Sequence, residues 1–305
     1  MDSATTMLEK ARDNVVPEAV PHYLVSTRWL AENLKKSHVH VLDASMSKVV
    51  GRTPLDYNEL TVIPNSVHLD LEQRLTDTTA TLPNTFPSAE QVTLALQELG
   101  INKTDTVVLY DNQGIYSAPR AWVIFKAMGF KNVCILDGGL PQWLSDNYPA
   151  ATEHSLPRTA RGNFVAKFDK SWLVTSKDVL KATQSGSSSI IDARSPDRFN
   201  GLKPEPREGM RSGHIRSSFN LPFLDVLDDN RYRKPDELAE LFISLVGPKS
   251  PHLILTCGSG ITACILLVAA RIAGFTEVQL YDGSWSEWGA NPQLPIEPIS
   301  SSNNQ

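Results

Sequence analysis

The chain has 305 residues, 41% of them hydrophobic and 21% charged, which is the composition of a globular protein with room for two ordinary domains. A net charge of −5 without a basic stripe excludes nucleic acid as the main partner. No apolar run approaches the roughly 18 residues of a membrane span, so no membrane partner is expected.

Residues 1–22 read as an irregular or weakly helical lead-in. They lack a secretory apolar core, and Asp2, Glu9, Asp13 and Glu18 weigh against a transit peptide. The cytoplasm is the expected location, with mitochondria open if the source is eukaryotic. A strand is predicted near Leu24, then a short helix with Ser26 or Thr27 as N-cap. Further on come a strand over 39–43, an extended piece over 66–71, and a helix over 88–99 closed by Gly100. The first half ends with a strand over 106–110, a turn at 111–114, a helix over 117–128, a strand over 133–136, a turn at 137–139 and a helix over 141–145. The stretch 147–162, rich in Pro, Ala, Thr and Ser, reads as a linker.

The second half replays this order. Ser189-Ile190-Ile191-Asp192 matches Val41-Leu42-Asp43, and 217–221 matches 65–69. The apolar strand Leu253-Ile254-Leu255 with its following turn and helix matches the strand before Asp111. Tyr281-Asp282-Gly283-Ser284-Trp285 matches Leu136-Asp137-Gly138-Gly139 and its helix. One unit has been duplicated at a nearly constant offset. The expected organisation is a lead-in at 1–22, one unit at 23–150, a linker at 151–162 and a second unit at 163–305. Each unit is α/β, a mostly parallel sheet with helices on both faces.

Such sheets bind ligands at the carboxyl ends of their strands. Cys257 sits there, in the turn Cys257-Gly258-Ser259-Gly260-Ile261-Thr262 that opens a helix. Glycines let the backbone curl its N–H groups inward, and a helix N-terminus favours negative charge, so a thiolate is stabilised. The Ser259 and Thr262 hydroxyls can add hydrogen bonds. The duplication supplies a control, because Asp111 stands where Cys257 does and the first copy has no thiol at this position. A cysteine phosphatase would need an arginine six residues after the cysteine; Ala263 is there, which disfavours that chemistry. Cys134, Cys257 and Cys264 form no disulfide framework and no zinc spacing, which suits a reducing compartment and implies no metal.

The duplicated unit, the loop CGSGITA at 257–263 and the closing YDGSWSEW at 281–288 resemble the two-domain sulfurtransferases of the rhodanese superfamily over nearly the whole chain. The uncharged loop is of the mercaptopyruvate type rather than the basic CRKGVT type, with Ile261 in place of valine. The resemblance implies two tandem rhodanese-like domains, no cofactor, and sulfur transfer from 3-mercaptopyruvate through a Cys257 persulfide to a thiol such as thioredoxin, or to cyanide. It also implies that Arg198 and Arg207, in Arg198-Phe199-Asn200-Gly201-Leu202-Lys203-Pro204-Glu205-Pro206-Arg207, bind the substrate carboxylate. Arginine forks suit that task, and Arg194 and Arg211 are the nearby arginines most easily mistaken for them. Thiosulfate as donor, and a non-catalytic sulfur-carrying or redox-sensing role, are the alternatives. One departure stands out. The histidine of the family's HIPGA segment, proposed to serve the loop serine, is replaced by Val62, which leaves His68, another group or no relay at all in its place. His214 is expected to hold its own turn. Trp122, Trp143, Trp285, Trp288 and Cys264 are expected in the core, Asp137 and Asp282 as N-caps, and Arg120 at the domain junction.

Overall fold

The computed structural model describes residues 23–248 and 252–297; the lead-in 1–22 and residues 249–251 and 298–305 lie outside them. Strands β1 (Leu24–Val25), β2 (Val39–Asp43), β3 (Val67–His68), β4 (Thr106–Tyr110) and β5 (Val133–Leu136) form one sheet in the order β1-β5-β4-β2-β3, every pair parallel. The second half has β6 (Leu173–Val174), β7 (Ser189–Asp192), β8 (His214–Ile215), β9 (Phe219–Asn220), β10 (Leu227–Asp228), β11 (Arg231–Tyr232), β12 (His252–Thr256), β13 (Glu277–Tyr281) and β14 (Ile296–Glu297). Its main sheet runs β6-β13-β12-β7-β9, again parallel, which is the same order at equivalent positions. Two antiparallel pairs, β10 with β11 and β8 with β14, complete it.

Local chemistry sets these elements. Every residue of β2 and β4 is buried, so their near-continuous apolar runs fit strands covered on both faces. Ser26 and Ser88 accept N–H groups of the first turns of helices Thr27–Asn33 and Ala89–Glu98. Thr175 and Asp178 form a reciprocal capping box on helix Ser176–Ser185. The extended piece expected over 66–71 is shorter, because a one-turn helix, Leu71–Arg74, begins inside it.

Two helices are apolar nearly all round, Ala118–Ala127 and Thr262–Ile272. A helix of that kind needs cover on every side. Each lies on its own sheet and packs against the other, so the principal core runs unbroken from one unit into the next. Trp122, Trp143, Trp285 and Trp288 are all buried, as is Cys264. The stretch 151–169 stays on the first unit. Val62 and Ala151 exchange both backbone hydrogen bonds, Gly162 donates to Gln97, and the Phe164 ring meets Phe130 edge-on at 5.0 Å.

Asp137 and Asp282 are not N-caps. Gly138 and Gly283 occupy those positions, and neither makes a side-chain cap. The aspartates reach across the junction instead. Asp282 accepts Arg120 Nη1 at 2.6 Å and the Phe86 N–H at 2.8 Å. Asp137 accepts Arg231 Nε and the Tyr232 N–H, both at 3.1 Å. Each unit therefore offers one carboxylate to an arginine and a backbone amide of the other, at repeat-equivalent places. Arg120 is the more deeply enclosed, with its side chain 1% exposed. Removing one partner of a buried pair strands the other charge. Arg120→Ala is expected to lower stability by about 3–5 kcal/mol, read as a fall in the guanidinium midpoint; Arg231→Ala, at a half-exposed pair, should cost far less.

Candidate active site

The turn after β12 is held from outside. Ser284 Oγ accepts the Cys257 N–H at 3.2 Å and donates to the Tyr281 carbonyl at 2.9 Å. Trp285 N–H donates to the Cys257 carbonyl at 3.0 Å, and Ser286 gives both its N–H and its Oγ–H to the Gly258 carbonyl at 2.9 and 2.7 Å. The closing segment 281–288 thus satisfies the carbonyls of the loop on its outer side. Gly260 adopts φ +80, and a Cβ there would lie 3.0 Å from Asp282 and 3.2 Å from Arg120, so glycine is required.

The first copy shows what this loop is shaped for. Asp111 is fully buried, and its carboxylate accepts the N–H groups of Gln113, Tyr116, Ser117 and Ala118 at 2.8–3.0 Å. Leu140 N–H donates to the Asp111 carbonyl as Trp285 does to that of Cys257. The curled backbone is an anion cradle, and in this copy an attached carboxylate fills it. Burial raises the Asp111 carboxyl above the ordinary range, against the pull of those four amides.

Cys257, 2% exposed, lines a cavity of about 190 Å³ between the units. Gly258, Ser259, Ile261 and Thr262 line it as well, together with Arg198 and Arg207; Gly260 instead turns its carbonyl to Arg120. The expected site residues are therefore gathered in one place, with Gly260 supporting from behind. Glu205 clamps Arg198 through Nε at 3.2 Å and Nη2 at 2.5 Å, and a Cβ on Gly258 would approach that Nη2 to 3.0 Å. Arg207 is exposed at the rim, with Nη1 and Nη2 3.4 Å from Ser286 Oγ and Ser259 Oγ.

The neighbouring arginines have other work. Arg194 is buried, bound to Asp192, Glu205 and the Gly213 carbonyl, with its guanidinium 4.3 Å over the Trp285 ring. Arg211 spends its donors on the carbonyls of Trp288, Gly289, Asn291 and Leu294. His214 stacks on Phe199 and bonds its carbonyl, holding its own turn. Burial pushes the thiols of Cys134 and Cys264 up to about 12, which leaves both inert at neutral pH.

Neither Val62 nor His68 belongs to this site. Val62 is fully buried against Ala151, and the exposed His68 lies beside His154, which pairs with Asp43. The residue against Ser259 is Asn84, whose Nδ2 donates to Ser259 Oγ at 2.9 Å. Met46, Lys48, Val50, Glu72 and Tyr116 complete the first unit's wall. Tyr116 Oη accepts the Val50 N–H at 2.7 Å, and Glu72 accepts the N–H and Oγ–H of Ser47, which pins the Met46–Val50 stretch over the opening. Burial raises the Tyr116 phenol. None of these carries a sequence signature, and Asn84 stands 175 residues from its partner in the chain. Among the described residues no group of three His, Cys, Asp or Glu is placed to hold a metal ion, and no helix is long and apolar enough to cross a membrane.

Two parallel α/β units, one with a thiol in the cradle and one with a carboxylate, define a duplicated fold with a single candidate centre. The rhodanese-like domain model matches the chain twice, over residues 26–146 and 175–291. The chain belongs to the rhodanese family. It is 35% identical to the 3-mercaptopyruvate sulfurtransferase of Escherichia coli K12, over 91% of this chain and 98% of that one. The human 3-mercaptopyruvate sulfurtransferase is 37% identical, over 87% and 91%, and the rat thiosulfate sulfurtransferase is 37% identical, over 90% and 94%. Among solved structures, that of a 3-mercaptopyruvate sulfotransferase from Escherichia coli superposes with a TM-score of 0.74 at 33% identity, covering 88% of this chain and all of that one. The Tum1 protein of Saccharomyces cerevisiae gives 0.78 at 27% identity, covering 91% and 99%.

If the first cradle is an anion nest closed by its own carboxylate, emptying it should be costly. Asp111→Ala would leave four buried N–H groups without an acceptor, and a loss of several kcal/mol, about 1–3 for each group that water cannot reach, is expected in chemical denaturation. Asp111→Asn, which keeps one acceptor oxygen, should lose less.

Proposed function

We propose that this protein is a sulfurtransferase that takes sulfur from 3-mercaptopyruvate onto Cys257 and passes it to a thiol such as thioredoxin or a small thiol, or to cyanide. The observation that carries this reading is the pairing of Cys257 with Arg198 and Arg207 on one small cavity, beside a twin cradle that holds no thiol. The relatives named for the same reaction support it. The free and buried state of all three cysteines agrees with a reducing compartment, for which the cytoplasm is our assignment.

Arg207 and the Nη1 edge of Arg198, outside the Glu205 clamp, bind the carboxylate and carbonyl of the donor by charge-assisted forks. This sets the substrate sulfur against Cys257. The thiolate attacks that sulfur; an S–S bond forms, the C–S bond breaks, and its electron pair leaves on carbon as the pyruvate enolate. Carbon takes up a proton, balanced by the one released as the new persulfide ionises, and pyruvate departs. The loop amides that correspond to the Asp111 ligands stabilise the negative sulfur throughout. An acceptor thiolate then attacks the outer sulfur and restores Cys257. Covalent catalysis divides the transfer into two displacements.

Thiosulfate is the competing donor, since a thiosulfate sulfurtransferase is also among the relatives. The loop 257–262 carries no basic residue to meet a dianion, which favours mercaptopyruvate. Steady-state rates with both donors test this: mercaptopyruvate should give the larger kcat/KM, and faster turnover with thiosulfate would reverse the assignment. Mass spectrometry after exposure to mercaptopyruvate should find one added sulfur atom on the wild type and none on Cys257→Ser. Arg198→Ala and Arg207→Ala should each raise KM, by roughly tenfold or more for loss of a charged hydrogen bond, while kcat changes less. An unchanged KM in both would remove them from the site.

A further inference from the structure

We propose that Asn84 is a positioning residue for this transfer, which orients the Ser259 hydroxyl so that its proton points into the cavity. The proposal rests on the sulfurtransferase reading above and adds a residue to it. Ser259 Oγ receives Asn84 Nδ2 at 2.9 Å and Arg207 Nη2 at 3.4 Å. Amide and guanidinium nitrogens donate and do not accept. A hydroxyl that accepts from two such donors keeps its own hydrogen for something else, and Ser259 faces the cavity that Cys257 also lines. That hydrogen can meet the negative charge that moves from Cys257 to the departing enolate.

Asn84 is built to stay in place. It adopts φ 56, a left-handed conformation that asparagine tolerates better than most residues. Its carbonyl accepts Arg120 Nη2 at 2.6 Å, and two residues on, the Phe86 N–H is bound by Asp282 at 2.8 Å. Arg120 also donates to the Gly260 carbonyl at 3.3 Å, within the same loop as Ser259. One buried guanidinium therefore indexes the amide of one unit against the hydroxyl of the other. A residue whose backbone is anchored in this way, with a side chain that does not ionise, suits a donor whose direction must not vary.

The test is a double-mutant cycle on direction. Asn84→Asp is nearly isosteric but presents only acceptors, so Ser259 would turn its proton to the new carboxylate and away from the cavity. With mercaptopyruvate as donor and pyruvate release as the readout, kcat should fall roughly tenfold or more, the scale of a lost donor to developing charge, with KM within about twofold. Ser259→Ala should show a similar loss, and the double variant should be no worse than Ser259→Ala alone. Asn84→Ala, entered in the same cycle, covers the case in which the aspartate variant does not fold. Wild-type kcat in Asn84→Asp, or an equal additional loss in the Ser259→Ala background, overturns the proposal, the second because it marks a merely structural role. A wild type that turns over neither mercaptopyruvate nor thiosulfate overturns the sulfurtransferase reading and this proposal together.

Discussion

The contact on which the site depends is the buried pair between Arg120 and Asp282. A guanidinium taken out of water is tolerated only where its donors are met and its charge is answered. Here Asp282 answers the charge, the carbonyls of Asn84 and Gly260 take further hydrogens, and the Phe86 ring lies 5.0 Å beneath. Two of these partners, Asn84 and Gly260, belong to segments that line the cavity. The pair is consequently less a stabilising bond between domains than a gauge that sets how far apart the two walls stand.

A second constraint shapes the wall that carries the thiol. A tight loop has both carbonyls and amides to satisfy, and if the carbonyls faced the cavity they would repel an anion. The short helix Ser284–Trp288 resolves this by taking the carbonyls of Cys257 and Gly258 from behind. In the first copy, Leu140 does the same for Asp111, whose carboxylate shows where the freed amides converge. The closing motif and the cysteine loop are thus one device in two pieces of sequence, which is why both recur in the repeat.

The sequence was most readable where interactions are local. Strands β2, β4 and β5, the cap at Ser26 or Thr27, the helix closed by Gly100 and the helix after Cys257 follow from apolar runs and cap residues within a few positions. The repeat itself showed the second half replaying the elements of the first, and a thiol-free twin. Across the junction Arg120 was placed correctly, but its partners were not legible. Asp137 and Asp282 have the composition of N-caps, and nothing near them in sequence says that their ligands are Arg231 and Arg120. Val62 drew attention through a motif comparison, yet the neighbour of Ser259 is Asn84, on a turn whose local chemistry is that of any Pro-Asn pair. Arg194 shows the opposite case: one more arginine in sequence, it is buried by Asp192, Glu205 and Trp285 into a structural part.

The carboxylate of Asp111 has a consequence for stoichiometry. A cradle closed by a tethered anion cannot be loaded by a dissolved one, since the attached group is always present at its own site and never diffuses away. The cradle at Asp111 is accordingly closed to small anions that enter this protein. Under the proposed chemistry each molecule carries a single transferable sulfur, and the other half of the duplication acts as a counter-wall.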